Sequence, residues 1–257
     1  MSVPCFVANW KMNKTVEEAQ AFLADLWGRL GDSDERAEVV IAPPYTALTA
    51  VAAGLARPNA GTPRLRFLAA QNVWGDGDGA YTGEISARML AAVGCRFVIV
   101  GHSERRVYIG ETDTQIARKI AVACEWGITP ILCVGETAEA RRAEQSLQVV
   151  ERQIRAASAA LPAGSVIAYE PVWAIGTGVT PRVDEIETIH QHIRGLLAGL
   201  PAEEGSRLLY GGSVNCENIA SVMSLPSVDG VLVGGASLAA STFADLVALG
   251  TQAKRGG

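Results

Sequence analysis

The chain has 257 residues, of which 49% are hydrophobic and 19% charged, with a net charge of −5. That composition excludes a disordered chain, which carries too little apolar surface to offset its ordering entropy, and a core of this size needs no disulfide or metal staple. The negative balance disfavours nucleic acid as a partner, although a local positive site can still hold a small anion.

In chain order, residues 6–8 read as a first strand, followed by a helix whose apolar face is Ala19, Phe22, Leu23, Leu26 and Leu30. Thr15 and Glu18 have capping-box spacing at its start. Strands are expected at 39–42, 65–70, 97–100 and 130–134, with a second capping box at Thr112 and Gln115 before the helix that precedes 130–134. Ala140, Ala143, Leu147, Val150, Ile154, Ala157 and Leu161 alternate steps of three and four and predict one unbroken helix. A strand at 166–169, a helix through Val183, Ile186, Ile189, Ile193 and Leu197, and strands at 207–210 and 230–233 complete the chain.

Strand starts lie 23 to 41 residues apart, and strands alternating with helices at that spacing imply parallel pairing through right-handed crossovers. Eight such units, with no linker and no block left over, favour a single (β/α)8 barrel over residues 1–257, an α/β fold of eight parallel strands with outer helices. An open doubly wound sheet has the same local pattern and stays as the alternative. No apolar run approaches the 18 residues of a membrane span. The cysteines Cys5, Cys95, Cys124, Cys133 and Cys216 include no CxxC and no metal-ligand spacing, so they read as reduced thiols of a cytoplasmic protein.

Chemistry in such folds gathers where strand ends meet the following loops. Those positions hold Asn9 and Lys11, Gln71 and Asn72, His102, Ser103 and Glu104, Gly135 and Glu136, Glu170, Gly211 to Ser213, and Gly234 with Gly235. Two Gly-rich turns at the last two strands suit a phosphate. Singly, Glu170, His102 and Lys11 fit a solvated or structural role; together they are a base, a neutral acid and a cation, the minimum kit for removing a proton beside a carbonyl. The apolar segment Pro171, Val172, Trp173, Ala174, Ile175, Gly176 and Thr177 suggests a lid that excludes water. His190 and His192, two apart on a helix, make a poor metal pair and read as structural.

The stretches Asn9-Trp10-Lys11-Met12-Asn13, Gly101-His102-Ser103-Glu104-Arg105-Arg106, Tyr169-Glu170-Pro171-Val172-Trp173-Ala174-Ile175-Gly176-Thr177-Gly178, Tyr210-Gly211-Gly212-Ser213 and Val233-Gly234-Gly235-Ala236-Ser237 carry a resemblance to the triosephosphate isomerase family along essentially the whole chain. The resemblance implies interconversion of dihydroxyacetone phosphate and glyceraldehyde 3-phosphate without a metal or organic cofactor, within glycolysis and gluconeogenesis. It implies Glu170 as base, His102 as neutral acid and Lys11 as cation, with Asn9, Gly176, Ser213, Gly234 and Gly235 binding substrate. Glu104, Tyr210 and Cys133 take supporting places, Arg105 pairs with Glu111, and a loop with Tyr81, Thr82 and Glu84 meets the partner in a homodimer. Rival readings are an isomerase of tetrulose phosphates, a sugar-phosphate-binding barrel without catalysis, and a Schiff-base aldolase using Lys11.

Overall fold

The computed structural model describes residues 3–30, 37–56, 65–175 and 180–256. Eight strands, β1 (Cys5–Asn9), β2 (Glu38–Ala42), β3 (Arg66–Ala70), β4 (Cys95–Val100), β5 (Thr129–Val134), β6 (Val166–Tyr169), β7 (Arg207–Tyr210) and β8 (Gly230–Val233), form a closed barrel. Closure is decided by β1, which pairs in parallel with β2 on one side and with β8 on the other, Ala8 lying opposite Val233. The open-sheet alternative is thereby excluded. All five residues of β1 are buried, because a barrel strand faces side chains inside and helices outside. Val7, Val40, Ile99, Ile131 and Leu209 fill the interior, while Phe6, Ile41 and Val98 pack outward under the helices.

The outer layer comprises α1 (Val16–Leu30), α2 (Leu48–Leu55), α3 (Ala87–Ala92), α4 (Asp113–Glu125), α5 (Ala138–Arg142), α6 (Ser146–Ala157), α7 (Val183–Leu197), α8 (Ile219–Met223) and α9 (Ala240–Gly256). Both expected capping boxes form. The Thr15 N–H donates to Glu18 at 2.8 Å and the Glu18 N–H to the Thr15 hydroxyl at 3.3 Å, and Thr112 and Gln115 repeat the exchange at the start of α4.

The unbroken helix expected through Ala140 to Leu161 is instead two, α5 and α6, and Leu161 is buried in the connection beyond them. Glu144 stands between them at φ +57°. The Gln145 N–H bonds the Ala140 carbonyl at 2.9 Å and the Glu144 N–H bonds that of Arg141 at 3.0 Å, which is a Schellman ending. Glycine ordinarily marks such an ending; glutamate in that place hid it, and the apolar spacing runs on undisturbed across the break.

His190, on α7, is fully buried against Tyr169, with ring centroids 6.0 Å apart, and its Nδ1 lies 3.3 Å from the Ser227 carbonyl. Burial lowers its pKa from 6.5 to about 4. Between those values the unfolded chain binds the proton that the folded chain refuses, so stability is intact above pH 6.5 and falls as pH drops toward 4. Urea unfolding at pH 7 and pH 5 is expected to show wild type losing ~2 kcal/mol more than His190→Asn over that interval. Equal losses would show that the ring does not resist protonation.

Candidate active site

Asn9 ends β1, and the chain turns sharply at Lys11, whose φ of +53° is a costly conformation for a residue with a side chain. Two side chains hold it. Asn9 Oδ1 accepts the Lys11 N–H at 3.1 Å, and Gln71 Nε2 donates to the carbonyls of Lys11 at 2.9 Å and Ala42 at 2.8 Å. The Lys11 ammonium is ion-paired to Glu104 at 2.5 Å.

At the end of β4 the backbone folds over His102, and the Glu104 N–H donates to its Nδ1 at 3.2 Å. A donor aimed at Nδ1 requires a lone pair there, so the ring is the neutral tautomer carrying its proton on Nε2. That Nε2 lies 3.0 Å from Oε1 of Glu170. Glu170, just beyond β6 and 2% exposed, accepts the Ser103 N–H on its other oxygen at 2.8 Å. The carboxylate therefore rests with both oxygens engaged by the β4 turn.

These groups face a cavity of about 290 Å3 lined by Asn9, Lys11, His102, Glu170, Ser213, Gly234 and Gly235, with Ile175 and Leu232 as apolar wall. Positions that the sequence analysis drew from the ends of five different strands are thus brought together around one space. Gly234 lies beneath the lysine stem, since a Cβ there would stand 3.1 Å from Lys11 Cε. Gly135 has the stricter requirement: its Cβ would sit 1.7 Å from the Glu170 carbonyl oxygen. The strand-end position of Gly135 was visible in sequence, but its duty of admitting the neighbouring backbone was not.

Other expected residues lie elsewhere on the strand ends and loops. Cys133 faces the barrel interior, and burial together with the Glu170 carboxylate pushes its thiol well above the usual range. Tyr210 is buried, and its hydroxyl has no hydrogen-bond partner among the described residues. Positions 172–174, which the sequence suggests for a lid, form a 3-10 turn, and the Ser213 hydroxyl donates to the Ala174 carbonyl at 3.2 Å. Gly176 and Thr177 lie outside the described residues.

A family model described as triosephosphate isomerase matches residues 4–250. The chain belongs to the triosephosphate isomerase family. Among its relatives is the "Triosephosphate isomerase" of Chloroflexus aurantiacus, 46% identical over 96% of this chain and 99% of that one. The proteins of that name from Rubrobacter xylanophilus (47% identical, 95% and 96% covered) and Moorella thermoacetica (44%, 96% and 98%) are similar along the same extent.

Two buried groups of this triosephosphate isomerase family member carry duties that the sequence reading did not assign. Glu136, fully buried after β5, accepts hydrogen bonds from Trp173 Nε1 at 2.7 Å and the Tyr169 hydroxyl at 3.1 Å, tying the short turn after β6 to the end of β5. Burial raises its carboxyl pKa, with those two donors opposing the rise. Lys119, 6% exposed, joins Glu111 at 2.5 Å and Asn72 at 2.7 Å, enlarging the expected Arg105–Glu111 pair, itself at 2.5 Å, into a network. A charged residue on an otherwise apolar helix face was the available signal for Lys119. Tyr81, Thr82 and Glu84 are exposed and line no part of the cavity in their own chain, Tyr81 resting on Trp74 at 4.8 Å between ring centroids.

Because Gly135 sets where Glu170 sits, Gly135→Ala is expected to lower kcat by about 10²-fold, as small displacements of reacting groups do. Steady-state kinetics on the folded variant checks this; a kcat within twofold of wild type would show that the close approach does not position the carboxylate.

Proposed function

We propose that this protein interconverts dihydroxyacetone phosphate and D-glyceraldehyde 3-phosphate by moving a proton through an enediolate, in glycolysis and gluconeogenesis. The observation that carries the reading is the shared hydrogen bond between His102 Nε2 and Glu170, 3.0 Å long, at the wall of a cavity that also holds the Lys11 ammonium. A substrate carbonyl oxygen entering the cavity takes over the Nε2–H donor and frees the carboxylate. Glu170 then removes a proton from the adjacent carbon, and the C–H electrons become the C=C bond of the enediolate. His102 moves protons between its two oxygens, Lys11 offsets their charge, and Glu170 returns a proton to the neighbouring carbon. This reading needs no metal or organic cofactor.

Ser213, Gly234 and Gly235, with Gly176, are assigned to the phosphate through backbone N–H groups, and Asn9 to orienting the substrate. Glu104, Tyr210 and Cys133 support the site. The lid from Pro171 to Thr177 is assigned to excluding water, because an exposed enediolate phosphate expels phosphate. The cavity lies at the small end of ligand pockets, which suits a phosphorylated sugar of three carbons. The pairing of Lys11 with Glu104 argues against an amine nucleophile and hence against the aldolase reading.

The active form is proposed to be a cytoplasmic homodimer of one catalytic barrel per chain. Met12 is 95% exposed and Tyr108 and Ile109 are 79% and 65% exposed; all three line a second cavity shared with Lys11 and Glu104. A contiguous apolar surface of this kind marks an interface, and the loop bearing Tyr81, Thr82 and Glu84 of a second copy is its proposed occupant. Among the described residues no helix is long and apolar enough to cross a membrane.

A coupled assay with glyceraldehyde 3-phosphate and erythrulose phosphates side by side is expected to show the three-carbon substrate turned over faster. Faster turnover of a four-carbon substrate would move the assignment to the tetrulose phosphates, and no turnover of either would favour a binding protein. Glu170→Asp is expected to lower kcat by about 10²- to 10⁴-fold with little change in KM; a near-normal kcat would remove Glu170 from the role of base.

A further inference from the structure

Gln153 is a polar residue on the buried face of α6, beside Val150, Ile154 and Ala157, and is only 4% exposed. Its carboxamide is spent on a single residue. Oε1 accepts the Gly135 N–H at 2.8 Å, and Nε2 donates to the Gly135 carbonyl at 3.2 Å. An N–H and a C=O side by side call for an acceptor and a donor side by side, which a primary amide supplies and a hydroxyl or a carboxylate does not.

The register of the barrel explains why Gly135 needs such a partner. β4 and β5 pair as far as Val100 and Leu132, whereas β5 and β6 pair on to Val134 and Tyr169. Beyond those pairs the Glu170 N–H still donates to the Val134 carbonyl at 2.7 Å, and the Val172 N–H to that of Glu136 at 3.1 Å. Residues 134 and 136 therefore face β6. Backbone groups alternate sides along a strand, so those of Cys133 and Gly135 face the β4 side, from which the chain has turned away at Gly101, φ +70°. Two side chains take the vacated places. Arg106 donates to the carbonyls of Gly101 at 2.8 Å and Cys133 at 3.3 Å, and Gln153 takes both groups of Gly135. Left open, these buried groups would each carry a desolvation cost.

Gly135 is also pressed against Glu170, since a Cβ on Gly135 would stand 1.7 Å from the Glu170 carbonyl oxygen. Gln153 itself lines no part of the cavity that holds the carboxylate. We infer that Gln153 is a positioning residue of the proposed isomerisation: its carboxamide stands in for a missing neighbouring strand, fixes the peptide groups of Gly135, and so sets the backbone from which the Glu170 base projects. The inference rests on the reaction proposed above, with Glu170 as its base. Proton removal depends steeply on where the base stands. The backbone groups assigned to the phosphate follow other strands, β7 and β8, so the carboxamide bears on the chemical step more than on substrate binding.

The test measures kcat, KM and the primary isotope effect on glyceraldehyde 3-phosphate deuterated at the carbon beside its carbonyl, in the full chain and in Gln153→Met and Gln153→Asn. Methionine matches glutamine in length and offers Gly135 neither partner. It is expected to lower kcat about tenfold, to leave KM within about twofold, and to give an isotope effect at least as large as that of wild type. Asparagine keeps the carboxamide one methylene short, so it lowers kcat less, and it carries the test should Gln153→Met fail to fold. A folded variant with wild-type kcat would overturn the inference, since a residue needed only for folding moves the melting temperature and not the turnover of folded molecules. A lowered kcat with an isotope effect smaller than that of wild type would also overturn it, because the loss would then lie in a step other than proton removal. Wild-type protein inert on both triose phosphates would instead remove the reading on which the inference rests.

Discussion

The pairing of β8 with β1 is the constraint on which the rest of the structure depends. In an open sheet these first and last strands would be distant edges. Closed, they set Lys11 beside Gly234 and Gly235, and they place the ends of β1, β4, β6, β7 and β8 around one cavity. Parallel strands all point their carboxyl ends the same way, so a single closure collects every strand-end residue on one rim. The chemistry then depends on small side chains at the crowded points: Gly135 lets the backbone of Glu170 pass, and Gly234 admits the stem of Lys11.

Within that rim the electrostatics are arranged before any ligand arrives. The Glu104 N–H occupies the Nδ1 lone pair of His102 and thereby leaves the proton on Nε2, facing the cavity. Glu170 waits on that proton and on the Ser103 N–H. In the proposed reaction a carbonyl oxygen that displaced the carboxylate from His102 would both gain an acid and release a base, making binding and activation one event. The lysine is held in a left-handed turn by Asn9 and Gln71, which spends backbone strain to fix a charge.

Much of this was legible from sequence, for a physical reason. Strands buried on both faces read as short apolar runs, and those at 166–169, 207–210 and 230–233 were bounded correctly because Gly, Pro or charged residues stop them. The cavity residues were legible only as a set, because parallel strands bring their carboxyl ends to one rim and so gather polar residues that singly fit a structural role. What escaped were features set by three-dimensional contact. The break before α6 was hidden by glutamate in a place where glycine is usual, and the anchoring of Trp173 by Glu136 and Arg141 joins residues 37 and 32 positions apart in the chain. The duty of Gly135 depends on a neighbouring strand that no local pattern names.

The central claim is that a proton leaves the substrate carbon, passes to Glu170, and is returned to the neighbouring carbon. Turnover of glyceraldehyde 3-phosphate in deuterium oxide, followed by proton magnetic resonance of the product, tests it most directly. A carboxylic acid beside a cavity exchanges with solvent, so the account predicts dihydroxyacetone phosphate carrying solvent deuterium on the carbon that accepts the proton. Product free of solvent deuterium throughout the reaction would indicate direct hydride movement between the carbons and would contradict the account.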